Sequence, residues 1–418
     1  QAAQTNASTG AGRDAGADVL AVSVVRARPA ESASSGSAAP SAVGVAGNSA
    51  AEQPLPITEV IVTEGRLPVA AAGQVRVRLN LEGAFASGRT LDALLTAVPG
   101  VSLFRRTSSQ TAHPTTQGLS LRGISANGAG RALVTLDGIP ISDPFGGWAA
   151  WSAIEGLPLQ AAHIIKGGTA GAFGAQALSG AVVLESARPQ ASEGYARFAY
   201  GRFDTLDVAA GYTYANPDQL LGLYARVSES DGPYLVDEAS RGPADARYKS
   251  SVQSLTLRGE QALTDTLTAY ATLRLADEDR VNGGVGADNS TQSYDGSVRL
   301  THAPASGLAV EASFYWRKRD FENIFTSLSD DRATASPVLD QYDVPANGIG
   351  GLVRLKWGAF EVGGDAQRLS GETNEAFRNL GAGFTRARRA GGEQRILGGY
   401  ASYSARFGAV ALDASLRL

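Results

Sequence analysis

The residues best placed to carry chemistry lie in one run, LSLRGISANGAGRALVTLDGIPISDPFGG at 119–147, where two apolar β-like pieces flank a Gly/Ser/Asn loop and lead to an Asp-Gly pair. A phosphate cradle needs G-x-x-x-x-G-K-[ST], because the Lys must reach the phosphates and the hydroxyl must hold magnesium. The nearest glycine repeat, GTAGAFG at 168–174, is followed by Ala175 and Gln176. A nucleophile turn needs G-x-S-x-G and a nearby base. Around Ser125 the chain reads GISANG, which misses the second Gly by one position, and no His is near. The remaining use is architectural: glycines allow tight reversal and close approach, and Asp137-Gly138 reverses the chain after Leu136. His113, His163 and His302 are far apart and form no metal-ligand spacing, and the chain has no Cys, so no metal site or cofactor is expected.

The elements that position such a loop follow from length and pattern. At 418 residues the chain exceeds one ordinary domain unless one unit is a large barrel. Thirty-seven basic against 41 acidic residues leave no cationic surplus, which excludes a nucleic-acid surface. No apolar run approaches the ~20 residues of a membrane-spanning helix, although alternating barrel strands escape that test. Fifty glycines favour turns and strands over long helices. The chain opens on Gln1 and has no Met, which reads as a processed or partial form.

Residues 1–56 are rich in Ala, Ser and Gly and read as a flexible extension. Within them DVLAVSVV at 18–25 is a β-prone island. ITEVIVTEGRLP at 57–68 is a short β-branched run between Pro56 and Pro68, suited to joining a partner's sheet edge or to serving as an ordinary edge strand. From about 75 to 188 the pattern is mixed α+β. Thr90 caps a short helix with Leu91, Leu94, Leu95 and Val98 on one face, Pro99-Gly100 ends it, and strand-like pieces follow at 101–104, 119–124, 132–136, 163–166 and 181–184.

From 193 to 418 the texture becomes strict alternation. In LTAYATLRL, Leu267, Ala269, Ala271, Leu273 and Leu275 share one face against Thr268, Tyr270, Thr272 and Arg274; LAVEASFYWR and VALDASLRL repeat it. Segments of about ten residues suit a tilted bilayer crossing. Short links near 203–204, 217–218, 264–265, 306–307, 358–359 and 408 alternate with long polar ones at about 229–249, 277–291, 319–346 and 371–393. That asymmetry favours a membrane barrel over a soluble β-sandwich, whose strands average about five to six residues. About eleven strands fit before Leu418, an odd number that leaves a bare edge and reads as a truncated barrel.

Three stretches in order resemble the plug domain of TonB-dependent outer-membrane transporters: TLDALLTAVPGVSLF at 90–104, LSLRGISANGAGRALVTLDGIPISDP at 119–144 and HIIKGGTAGAFGAQALSGAVVLES at 163–186. Ala162, His163 and Gly168 depart from the family's usual residues. The resemblance implies an α+β plug inside an antiparallel transmembrane β-barrel of an expected 22 strands, about eleven of them present. It further implies that 57–66 holds a TonB box, with Glu59, Val60, Ile61, Val62 and Thr63 binding TonB, and that DVLAVSVV is a rival box. Arg122, Arg131 and Asp137 become a polar network between plug and barrel, or local salt bridges and turns; Gly123, Gly138, Gly174 and Gly180 become signature turns. Phe145, Trp148 and Trp151 lie where a ligand face or barrel packing is expected. The activity implied is import across the Gram-negative outer membrane, with a periplasmic N-terminus and no bond chemistry. A ferric siderophore is the first ligand expected, cobalamin or a carbohydrate the alternatives. The partners are TonB with its inner-membrane energising complex, outer-membrane lipid and an extracellular small ligand such as a metal chelate; nucleic acid is not among them. A passive porin or adhesin barrel and a soluble β-rich hydrolase are the competing classes.

Overall fold

The computed structural model describes residues 19–27, 57–58, 75–82, 89–105, 107–121, 129, 132–167, 173–174, 176–177, 179–407 and 410–418. Glu59, Val60, Ile61, Val62, Thr63, Arg122, Gly123 and Arg131 lie outside them. In chain order the elements are β1 (Val19–Ala27), β2 (Ile57–Thr58), β3 (Val75–Asn80), α1 (Leu91–Thr96), β4 (Val101–Leu103), β5 (Leu119–Leu121), β6 (Leu133–Leu136), β7 (Ile139–Pro140), β8 (Leu159–Lys166) and β9 (Gly180–Ser186). Eleven long strands follow: β10 (Glu193–Gly201), β11 (Thr205–Ala215), β12 (Gln219–Ser230), β13 (Ser250–Thr264), β14 (Leu267–Val281), β15 (Asp288–His302), β16 (Leu308–Leu328), β17 (Ala335–Trp357), β18 (Phe360–Asn379), β19 (Phe384–Phe407) and β20 (Val410–Arg417).

The first group builds a sheet in the order β2-β3-β8-β9-β6-β7, with β4-β5 as a separate pair. Its pairings are antiparallel except β6 with β9, which run parallel with Val134 opposite Val182. Asp137 and Gly138 both have positive φ, 50° and 87°, and join β6 to β7 as a two-residue hairpin turn whose twist suits the flanking strands. One face of the sheet packs on α1 through Leu91, Leu94, Leu95 and Val98, with Leu121, Val134, Ile164, Val182 and Leu184 in the same apolar cluster. Gly100, at φ 80°, turns the chain out of the helix. The Thr90 side chain, expected to cap α1, makes no capping bond. The Leu91 amide donates instead to Glu155 Oε1 at 3.2 Å, from 64 residues away.

β10 to β20 form a wall in which each strand pairs antiparallel with the next, and β1 lies against β10 at one margin, so that a twelve-stranded sheet runs from β1 to β20. The rival box segment thus has its backbone on the wall's margin. Alternation decides the faces: Leu273, Phe314 and Trp316 are exposed on the outer face, while Arg274, Tyr315 and Arg317 are buried on the inner one. The apolar face of each strand therefore points outward, the reverse of a soluble sandwich. No helix among the described residues is long and apolar enough to cross a membrane.

Three of the four long polar links expected from the sequence are strands. Only 231–249 is a true long loop; the chain between β14 and β15, β16 and β17, and β18 and β19 consists of paired hairpin ends joined by short turns. β16 to β19 run for 21, 23, 20 and 24 residues, well past the roughly 9–11 that cross a bilayer. Beyond the lipid both faces of a strand are wet, so the apolar alternation stops while the backbone ladder continues. Polarity there reports solvent and not irregular chain.

Candidate functional site

The small mixed unit rests on the inner face of the wall, and the wall reaches it mainly with arginines. Inner-face positions of successive strands place guanidiniums where water is scarce, and four of them bond backbone carbonyls of the inner unit. Arg299 donates to Asp137 O at 2.7 Å, Arg258 to Ala187 O at 2.7 Å and Arg280 to Gln110 O at 2.8 Å. Arg317, among the most buried side chains of the molecule, donates to Ser142 O. Tyr195 adds a hydroxyl bond to Gly156 O at 2.7 Å. A carbonyl offers this wall a partner without fixing which side chain the inner unit carries there.

Side-chain bonds across the seam are fewer. Ser152 Oγ donates to Glu278, itself paired with Arg280. Glu155 meets Arg226 at 3.2 Å, and Arg226 also holds Asp207, which Arg197 grips from the other side. Backbone contact is close here: a Cβ on Gly156 would lie 2.9 Å from Arg226 Cβ. Deeper in the wall Asp295 neutralises Arg319 at 2.8 Å and Arg274 at 3.3 Å.

Toward the end of the seam that carries 231–249, His113 Nε2 bonds Asn323 Oδ1 at 2.9 Å, and its ring stacks on Phe325 with centroids 5.8 Å apart and planes 12° from parallel. From Asn323 the bonds continue to Gln341 and then to Glu375, which Arg388 grips. Burial pushes the His113 pKa down and outweighs the bond to Asn323, so the ring is neutral near pH 7. Asp143 is buried with its pKa raised by desolvation, partly offset by the Gly146 and Phe145 amides and the Arg319 and Arg317 charges. Sequence reading treats His113 as ordinary and passes over Glu155 altogether; neither has a motif to find it by.

The expected site residues separate. The Asp137 carboxylate bonds the Ser186 amide and hydroxyl, at 3.1 and 2.6 Å, inside the small unit; only its carbonyl meets the wall, through Arg299. Gly138 at φ 87°, Gly174 at 77° and Gly180 at 136° all occupy left-handed backbone, and a Cβ on Gly180 would stand 2.1 Å from Ile165 O. Trp151 is a core residue with no exposure, its indole N–H donating to Gln117 O. Trp148 packs on Phe321 at 5.7 Å. Phe145 alone of the three is exposed, set over Gly371. No cluster of three or more His, Asp or Glu suited to a metal occurs among the described residues.

Residues 82–181 match the family of the TonB-dependent Receptor Plug Domain. The chain carries a TonB-dependent receptor plug. Solved structures agree on the surrounding fold. The copper transporter OprC superposes with a TM-score of 0.65 at 16% identity, over 82% of this chain and 53% of that one. The siderophore receptor PirA from Acinetobacter baumannii gives 0.60 at 12%, over 84% and 58%. FyuA, the ferric yersiniabactin uptake receptor from Yersinia pestis, gives 0.57 at 12%, over 80% and 63%. The chain thus spans between 53% and 63% of the length of these three receptors. No curated protein matches it in sequence. In these terms the inner unit is the receptor plug, the wall is barrel, and the arginine-to-carbonyl bonds are the seam between them.

Proposed function

We propose that this chain works in TonB-dependent uptake of a scarce, large ligand across the outer membrane of a Gram-negative bacterium, most specifically of a ferric siderophore. In this reading 1–56 is a periplasmic extension, 57–66 the TonB box, 75–188 the plug and 193–418 barrel wall set in outer-membrane lipid. Glu59, Val60, Ile61, Val62 and Thr63 add as a strand to TonB, which is energised from the inner membrane. Arg122 and Arg131 join Asp137 along the seam, Gly123 belongs with the signature turns, and Phe145, with Trp148 beside it, faces the extracellular ligand.

The observation that carries the reading is the seam. A plug with its own apolar core is held to the wall largely by guanidinium-to-carbonyl bonds, a contact that force applied to one end can break bond by bond while the core stays folded. The chain's own residues thus block, seat and release; no bond of the ligand is made or broken. Deletion of 59–63 is the test. Ligand binding to whole cells should persist while import stops, scored as growth on single ferric siderophores, with cobalamin and maltodextrins in parallel. Uptake that survives this deletion but not removal of 18–25 as well would move the box to DVLAVSVV, and uptake that survives both would make the barrel a passive pore.

A further inference from the structure

The plug meets the wall's guanidiniums mostly with carbonyls, but in Glu155 it offers one of them a carboxylate. Glu155 follows the short helical turn Ser152–Ile154, has a side chain only 9% exposed, and lies between the Leu91 amide and Arg226 Nη2, each at 3.2 Å. That same Nη2 is 2.6 Å from Asp207, and Arg226 Nε adds a bond of 2.9 Å. Arg226 therefore spends its best geometry on Asp207, leaving Glu155 the looser partner. Its Nη1 is buried with no hydrogen-bond partner.

Charged groups face Glu155 from every element around it: Arg226 on β12, Asp207 on β11 and Asp92 on α1. Arg197 on β10 stands behind Asp207, and Glu278 on β14 acts on Arg226. Glu155, Asp92, Asp207 and Glu278 thus share this corner with Arg226, Arg197 and, before α1, Arg89. A cavity of about 50 Å³ adjoins, its polar border including Arg89, Thr90, Glu155, Arg197, Asp207 and Arg226. It has room for about one water, enough to bring a proton in.

We propose that Glu155 is a proton-linked latch: the plug seats more firmly on the wall when this carboxyl is protonated and loosens when it ionises. Burial, then Asp92 and Asp207, push the carboxyl up to about 7 against the offsets of Arg226 and the Leu91 amide, whereas its ordinary value is 4.5. The seated state therefore holds the proton more tightly than the released one. Seating strengthens as pH falls from about 7 towards 4.5, by up to about tenfold per pH unit, and is constant above that window.

The proposal rests on the plug-in-barrel reading and not on energised transport. Its test is hydrogen exchange in the full-length protein in detergent, following the α1 amides at pH 5 to 8 after correction for intrinsic exchange, with the core amides of Val182 and Leu184 as reference. In wild type, α1 protection should rise towards low pH while the reference does not. Glu155→Gln, a neutral isostere, should hold the low-pH protection at pH 8 with a flat profile, and Glu155→Asp, which still ionises, should keep a slope. A flat wild-type profile, or a Glu155→Gln profile as steep as wild type, overturns the latch. The box deletion reads import instead, so it can fail while the slope stands, or succeed while the slope is absent.

Discussion

The plug core and the plug seam are neighbours built on opposite physics. The core is apolar and closed: Leu95, Ile164, Val182, Leu184 and Trp151 are all essentially without exposure. The seam is a row of charged donors on carbonyls, each bond directional and separately breakable. Apolar burial is lost only when a whole face opens, whereas a hydrogen bond is lost by a shift of about an ångström. The contrast teaches that plug integrity and plug seating are separable quantities, and each can be attacked without the other.

The largest effect should come from the core. Trp151→Ala removes a fully buried indole and should cost about 3–5 kcal/mol of plug stability, read as exposure of plug sites to protease while the wall keeps its heat-dependent gel mobility. Next is Arg226→Ala, which strands Glu155 and leaves Asp207 with Arg197 alone. Breaking a buried pair from one side costs about 3 kcal/mol or more, and here it should appear as loosened seating with the core amides of Val182 and Leu184 still protected. If core protection falls equally, core and seam are one cooperative unit and the contrast fails. A smaller loss, about 1 kcal/mol, is expected for Arg299→Ala, which removes one bond to Asp137 O and should speed exchange only around 137–139.

The smallest effect lies in the 231–249 loop, which belongs to neither. Asp245 receives two bonds from Arg332, across 87 residues, and a third from the Gly242 amide, which hold its pKa at about 2. A lowered carboxyl supports the loop above its ordinary value of 3.8, and that support is lost as pH falls through about 2. Asp245→Asn should therefore raise protease nicking within 231–249 slightly at neutral pH, with plug seating unchanged.

Much of this was legible in the residues. Strict alternation in 267–275 and 308–317 places Leu273 and Trp316 outward and Arg274 and Arg317 inward, because a two-residue period leaves one choice once a face must meet lipid. The α1 face was legible too, since Leu91, Leu94, Leu95 and Val98 recur at helical spacing. The outer hairpins were not, because polarity is shared by loops and by strands wet on both faces. Glu155 was illegible for another reason. Its partners, Leu91 and Arg226, come from elements 64 residues before it and 71 after it, and only the register of plug on wall joins them. Asp137 shows the same limit in miniature: the turn is written in its side-chain type, but the bond to the wall comes from its carbonyl, which every residue has.

The hairpins formed by β16 to β19 have one more consequence. A 24-residue strand is about 80 Å long, so a large part of each stands clear of the membrane as a ladder continuous with the wall. Such masts are stiff, and their outward residues can be exchanged without refolding anything. Substitution at those positions can thus change what the hairpins display, while the lipid-bound base keeps its register.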